Sequence, residues 1–173
     1  MENVSRVRVI TAPNKFNMLQ DNSITVFLAG GITGCKDWQE DVIDEMFAYQ
    51  NNDSIYCGIP ITLLNPRRKN FDVNDPNAEY EQISWEHRML SKCDIVSFFF
   101  DNSESLQPIT LYELGRWSMI KPTIISIVDG YKRKNDVLIQ KQLDGESNIF
   151  VYDTYDEAVC GHADRILHAV KGG

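Results

Sequence analysis

No apolar run in the chain approaches the roughly 18 residues of a membrane-spanning helix, and the first residues, Met1 to Arg8, are polar. That argues against a helical membrane span, so the expectation is a cytoplasmic protein with no membrane partner. Cysteine is sparse. Cys35, Cys57, Cys93 and Cys160 are scattered, without a C-x-x-C pair or the dense spacing of a disulfide framework, and are read as reduced thiols. Histidine is sparse too. His87, His162 and His168 have neither H-x-x-x-H nor Cys/His spacing, so no metal site is expected. Basic charge is in deficit, with 17 Lys and Arg against 25 Asp and Glu for a net charge of −8. This balance disfavours a grip on nucleic acid polymers or anionic membranes and leaves small polar ligands open. Repeats and low-complexity tracts are absent. The run Ala29-Gly30-Gly31-Ile32-Thr33-Gly34 does not follow G-x-G-x-x-G, no serine sits on a nucleophile elbow, and no cofactor is expected.

What is present is an ordered alternation of apolar runs and amphipathic stretches. With 173 residues and 43% hydrophobic content, the chain fits one α/β domain over 1–173, with residues 1–23 as an N-terminal extension or edge strand. Strands are predicted at Ile24–Ala29, Ile59–Leu64, Asp94–Phe100, Pro122–Val128 and Ile149–Tyr152, with a further edge strand at Val7–Thr11. Helices are predicted at Asp37–Tyr49, Ala78–Lys92, Thr110–Ile120 and Tyr155–Val170. The charged stretch Tyr131–Ser147 reads as a flap or a short helix. Such alternation predicts a three-layer, flavodoxin-like or Rossmann-like fold: a roughly five-stranded parallel sheet with helices on both faces.

In a sheet of this kind ligands bind beyond the carboxyl ends of the strands. The corresponding loops carry Gly30-Gly31, Asn65-Pro66-Arg67-Arg68, Asp101 to Gln107 and Asp129-Gly130. Two carboxylates stand near them. Glu86 falls on the same predicted helical stripe as Ile83, Leu90 and Cys93, which makes it either a structurally paired glutamate, bonded to Arg67, Arg68 or an amide, or an acid facing a cleft. Glu113 also has two readings. Thr110-Leu-Tyr-Glu113 matches the T-x-x-E capping box, while a helix start at a sheet's mouth would favour an ionised carboxylate suited to a nucleophile. Gly115 is expected to let that helix pack close to the sheet.

Val26-Phe-Leu-Ala-Gly-Gly-Ile32, Trp38, Leu64-Asn-Pro-Arg-Arg68, Gln82-Ile-Ser-Trp-Glu86, Cys93-Asp-Ile95 and Pro108 to Gly115, with Val9-Ile-Thr-Ala-Pro13 upstream, together resemble the nucleoside 2-deoxyribosyltransferase family. The resemblance implies a glutamate in the Glu-Leu-Gly segment, here Glu113, that attacks the anomeric carbon and holds the sugar covalently. A second base or water then resolves the intermediate, as in a retaining glycosidase. The family's acid stands at a fixed spacing before the strand-starting aspartate, and the same spacing back from Asp94 lands on Glu86. Gln107 stands where the transferases carry an aspartate for the sugar 5′ hydroxyl and related nucleotide hydrolases a serine for phosphate. A family tyrosine is replaced in the first strand by Val26 and Phe27.

The expected catalytic pair is therefore Glu113 and Glu86, and the expected substrate-binding set is Gly30, Gly31, Asn65, Arg67, Asp101, Gln107 and Tyr112. Partners would be a nucleoside or nucleotide, a free nucleobase and further copies of the chain, as a dimer or larger. Base exchange, hydrolysis of the same bond in nucleosides or 5′-monophosphates, and a non-catalytic nucleotide-binding module with Glu113 as a cap are the three functions to separate.

Overall fold

The computed structural model describes residues 6–17, 22–52 and 58–172. Six strands alternate with five helices: β1 (Val7–Thr11), β2 (Ile24–Gly30), α1 (Trp38–Gln50), β3 (Ile61–Asn65), α2 (Ala78–Lys92), β4 (Ile95–Phe100), α3 (Pro108–Trp117), β5 (Thr123–Val128), α4 (Lys134–Leu143), β6 (Ile149–Tyr152) and α5 (Tyr155–Gly172). The strands form one sheet in the order β1-β3-β2-β4-β5-β6, and every adjacent pair is parallel. The edge strand expected at Val7–Thr11 is present, so the sheet has six strands rather than about five.

Every residue of β3, β4 and β5 is buried, as a parallel sheet covered on both faces requires. Alternate side chains of β4 serve opposite layers. Ile95 and Phe99 join Trp38, Val42 and Met46 of α1 and the α5 residues Ala163, Ile166 and Val170. Val96, Phe98 and Phe100 join Trp85 and Met89 of α2, Leu114 and Trp117 of α3, and Val137 of α4. Helices α1 and α5 thus cover one face and α2, α3 and α4 the other. The charged stretch after β5 contributes a true layer element, since α4 buries Val137 and Lys141, the latter bonded to Ser118 Oγ at 2.6 Å and to Asp144 at 2.6 Å.

Two details fix what happens at the strand ends. Asp94 Oδ2 accepts from the Thr25 amide at 2.8 Å and its hydroxyl at 2.7 Å, setting β2 against β4. From β2 the chain turns outward to β3, then returns across the sheet to β4, so successive connections diverge between β2 and β4. That divergence opens a crevice at the carboxyl ends of the two strands.

Among the buried polar residues of the α1/α5 layer is His162, fully buried, with Nδ1 2.8 Å from Ser126 Oγ and its ring edge-on to Trp38 and Phe99. Burial holds its pKa down to about 3. The unfolded chain would protonate it near 6.5, so its contribution to stability is complete above that pH and is lost as pH falls below it. The urea midpoint should accordingly decline from about pH 7.5 to 5.5, and His162→Gln should flatten the decline; an equally steep decline in the variant would contradict this.

Candidate active site

The crevice is a cleft of about 490 Å³, within the range of small-molecule sites, about 300–1,000 Å³. Its floor comes from the end of β2 and the residues after it, Ala29 to Thr33. One wall is α2, presenting Glu79, Gln82, Ile83 and Glu86, and the other is the start of α3, with Pro108, Ile109, Thr110 and Glu113. Pro66, Phe71, Ser105 and Gln107 close the rim.

The floor is narrow for a packing reason. A Cβ on Gly30 would come within 2.4 Å of the Trp38 ring and 2.6 Å of the Phe99 carbonyl oxygen. One on Gly31 would lie 2.3 Å from Cys35 Sγ and 2.8 Å from Gln107 Cγ. The Trp38 ring stacks on Phe99 at 4.8 Å and donates its indole N–H to the Gly31 carbonyl at 3.2 Å. Both glycines are required by these neighbours, independently of any ligand.

Gln107 joins floor to wall. Among the described residues it alone, other than glycines, has a positive φ, at φ 51 and ψ 54. Its Oε1 accepts the Gly31 amide at 3.1 Å, and its Nε2 donates to the Asp101 carbonyl at 3.1 Å and carboxylate at 2.8 Å. Asp101 also accepts from the Lys36 amide at 3.2 Å and from Ser103 Oγ at 2.8 Å. The ends of β2 and β4 and the start of α3 are therefore tied through one buried amide.

This geometry corrects the capping-box expectation. Gln107 is the N-cap and Pro108 the first helical residue, so Thr110 lies within the first turn and Glu113 in the second, too far along to reach the cap amide. Glu113 lines the cleft and makes no hydrogen bond or ion pair with any described residue. The expected dipole effect is outweighed as well: burial, and then the negative charge of Glu86, push its pKa up to about 8. Gly115 is exposed, and a Cβ there would meet nothing within 4 Å, so close packing does not explain it.

Glu86 also faces the cleft, but not from the apolar stripe. The buried face of α2 carries Ala78, Trp85, Met89 and Leu90, while Ile83 is 56% exposed and borders the cleft mouth. Glu86 Oε1 accepts from Gln82 Nε2 at 2.6 Å. Burial raises its pKa, tempered by that hydrogen bond and by the charge of Arg68.

The other expected residues divide. Gly30, Gly31 and Gln107 line the cleft with the two glutamates, whereas Asn65, Arg67, Asp101 and Tyr112 do not. Asn65 Oδ1 accepts the Arg67 amide at 2.9 Å. The Arg67 side chain is committed to the loop after β2, bonding Gln39 at 2.9 Å, the Lys36 carbonyl at 2.7 Å and the Gly31 carbonyl at 3.2 Å, with Asp37 at 3.1 Å. These contacts tie the segment after β3 to the loop after β2. Tyr112 is 64% exposed, outside the cleft. Sequence reasoning overlooked Glu79, Gln82, Phe71, Ser105 and Thr110 as cleft residues. For α2 a signal existed: Glu79, Gln82, Ile83 and Glu86 recur at helical spacing beside the apolar face.

A carboxyl raised this far destabilises the fold as it ionises. The unfolded side chain titrates near 4.3, so the destabilisation grows as pH rises from there through about 8. Glu113→Gln should raise the melting temperature above pH 8 by something on the order of 5 °C and change it little near pH 4. A lower melting temperature at alkaline pH would contradict this account.

Comparison with known proteins follows the same boundaries. The model of the family described as nucleoside 2-deoxyribosyltransferase like matches residues 23–131, the segment that holds every element of the cleft. No curated protein sequence matches significantly. Among solved structures, an NAD(P)H:quinone oxidoreductase from Methanothermobacter marburgensis is similar at 10% identity, covering 86% of this chain and 98% of its own, with a TM-score of 0.41. That likeness is too distant to bear on function. The family match covers well over half of the chain, and its span carries both facing glutamates: the chain belongs to the nucleoside 2-deoxyribosyltransferase-like family.

Proposed function

We propose that the chain cleaves the N-glycosidic bond of 2-deoxynucleosides and transfers the sugar to another base, with Glu113 as nucleophile and Glu86 as acid. The observation that carries this reading is Glu113 itself, a partly buried carboxylate with no partner among the described residues, facing a second carboxylate across a cleft. A structural glutamate in such a position would be paired, because desolvating an unpaired charge is costly. With its capping role removed, the reading of a non-catalytic module loses its main support.

A Glu113 oxygen forms a bond to the anomeric carbon as the C–N bond breaks. The bonding pair leaves on the base, and the proton of Glu86 passes to a ring nitrogen of that base. In the second half the incoming base attacks the anomeric carbon and its proton returns to Glu86. The ester bond breaks and Glu113 is regenerated as a carboxylate. Water in place of the base gives hydrolysis.

The charge around the cleft favours an uncharged substrate. Its charged lining residues are Glu79, Glu86 and Glu113, all acidic, while Arg67 is tied to the loop after β2 and Arg68 to Glu81 and Gln82. A 5′-phosphate would meet repulsion without a compensating cation, which supports a nucleoside over a monophosphate.

The productive arrangement has a proton on Glu86 and none on Glu113, so it depends on how the facing pair shares its protons. Arg68 and Glu79 are the other charges close to the pair. The dependence of kcat/KM on pH should be bell-shaped, falling at alkaline pH as the pair loses its proton near 8. Incubation with a 2-deoxynucleoside and a different free base should yield the exchanged nucleoside, and Glu113→Gln should lower kcat by roughly 10³-fold or more. Release of free base and sugar alone would replace transfer by hydrolysis; full activity in Glu113→Gln would remove Glu113 from the reaction.

A further inference from the structure

Gln82 sits one turn before Glu86 on α2, and every polar atom of its amide is taken. Its Oε1 accepts from Arg68 Nε at 2.7 Å, and its Nε2 donates to the Pro66 carbonyl at 2.7 Å and to Glu86 Oε1 at 2.6 Å. The orientation is unambiguous. A guanidinium can only donate and a carbonyl can only accept, so turning the amide over would set oxygen against oxygen at Pro66 and N–H against N–H at Arg68. Arg68 is itself anchored, pairing with Glu81 at 2.6 Å and lying over the Phe71 ring at 5.4 Å.

Given the assignment of Glu86 as the acid in the proposed function, we propose that Gln82 is its positioning residue: held between Arg68 and Pro66, the Gln82 amide occupies Oε1 of Glu86 and leaves Oε2 as the oxygen that delivers the proton to the leaving base. Oε2 has no partner among the described residues. A neutral amide suits this task better than a cation. It can donate to the carboxyl in either form, more strongly to the ionised one but less so than a cation would, so Glu86 can gain and lose its proton without breaking the bond. Direct contact with Arg68 would instead favour the ionised form and withhold the proton. The relay keeps Arg68 one residue away, and its rigidity fixes the direction of proton delivery while the bond to the sugar breaks.

Comparison of two leaving groups separates this role from a general loss of shape. 2′-Deoxyguanosine needs a proton on its departing base, whereas its N7-methyl derivative already carries a cationic base and leaves without one. In Gln82→Met, kcat on 2′-deoxyguanosine should fall roughly 10- to 100-fold, a part of what general acid catalysis supplies. KM should change little, and turnover of the N7-methyl substrate should stay near that of the parent protein. Arg68→Met, which frees the amide to rotate, should show the same selective loss to a smaller degree and serves if Gln82→Met does not fold. Equal losses on both substrates, or no loss on either, would overturn the positioning role while leaving the proposed function standing. Failure of the unaltered protein to cleave either substrate would overturn the proposed function, and this role with it.

Discussion

The amide of Gln107 is the tie on which the rest of the cleft depends. A parallel sheet whose connections diverge between β2 and β4 opens a crevice there, but nothing in that topology sets how far apart its walls stand. Gln107 does so by accepting from Gly31 at the end of β2 and donating to Asp101 beyond β4 while its own backbone begins α3. The left-handed conformation costs about 1 kcal/mol for a residue with a Cβ, and Pro108 follows it as the first helical residue, without an amide that would need a partner. Because Gly31 can carry no Cβ, the amide approaches the strand end closely. The start of α3 is thereby pinned, and with it the direction in which Glu113 enters the cleft.

Within that frame the two glutamates are in deliberate conflict. Burial and mutual repulsion keep Glu113 from ionising freely, a cost to the fold that a structural residue would relieve with a partner. Glu86 is relieved in part, through Gln82 and Arg68. That asymmetry by itself favours the proton on Glu113, so the proposed reaction requires the proton to sit on Glu86 when Glu113 attacks. In the proposed reaction an oxocarbenium-like centre between them would supply positive charge, so electrostatic relief would come with the transition state.

The layers were legible because they depend on apolar runs and helical periodicity, which the chain carries plainly: Ala78–Lys92 and Ile149–Tyr152 stand at the bounds read from sequence. The N-terminal strand was legible as an edge but left the count of strands open. The site was legible in its chemistry and less so in its contacts. Thr110 and Glu113 have the spacing of a capping box, yet Pro108 starts the helix earlier, and that proline was the local signal against the cap. Arg67 was expected among the substrate-binding residues, but it does not line the cleft, and its partners Gln39, Lys36 and Gly31 come from another connection that only the folded chain brings near. Gln82 was visible as part of a motif. Its meaning required knowing that Arg68 and Pro66 lie on either side of its amide.

The central claim is that the sugar is carried on Glu113, and trapping tests it most directly. A 2′-fluoro-2′-deoxynucleoside destabilises the oxocarbenium-like transition states and lets a covalent intermediate accumulate. After incubation with such a substrate, proteolysis and peptide mass spectrometry should find the fluorinated sugar on the peptide containing Glu113, with fragment ions locating it at that residue. Attachment at Glu86 would reverse the two roles, and turnover with no labelled peptide would contradict a covalent route.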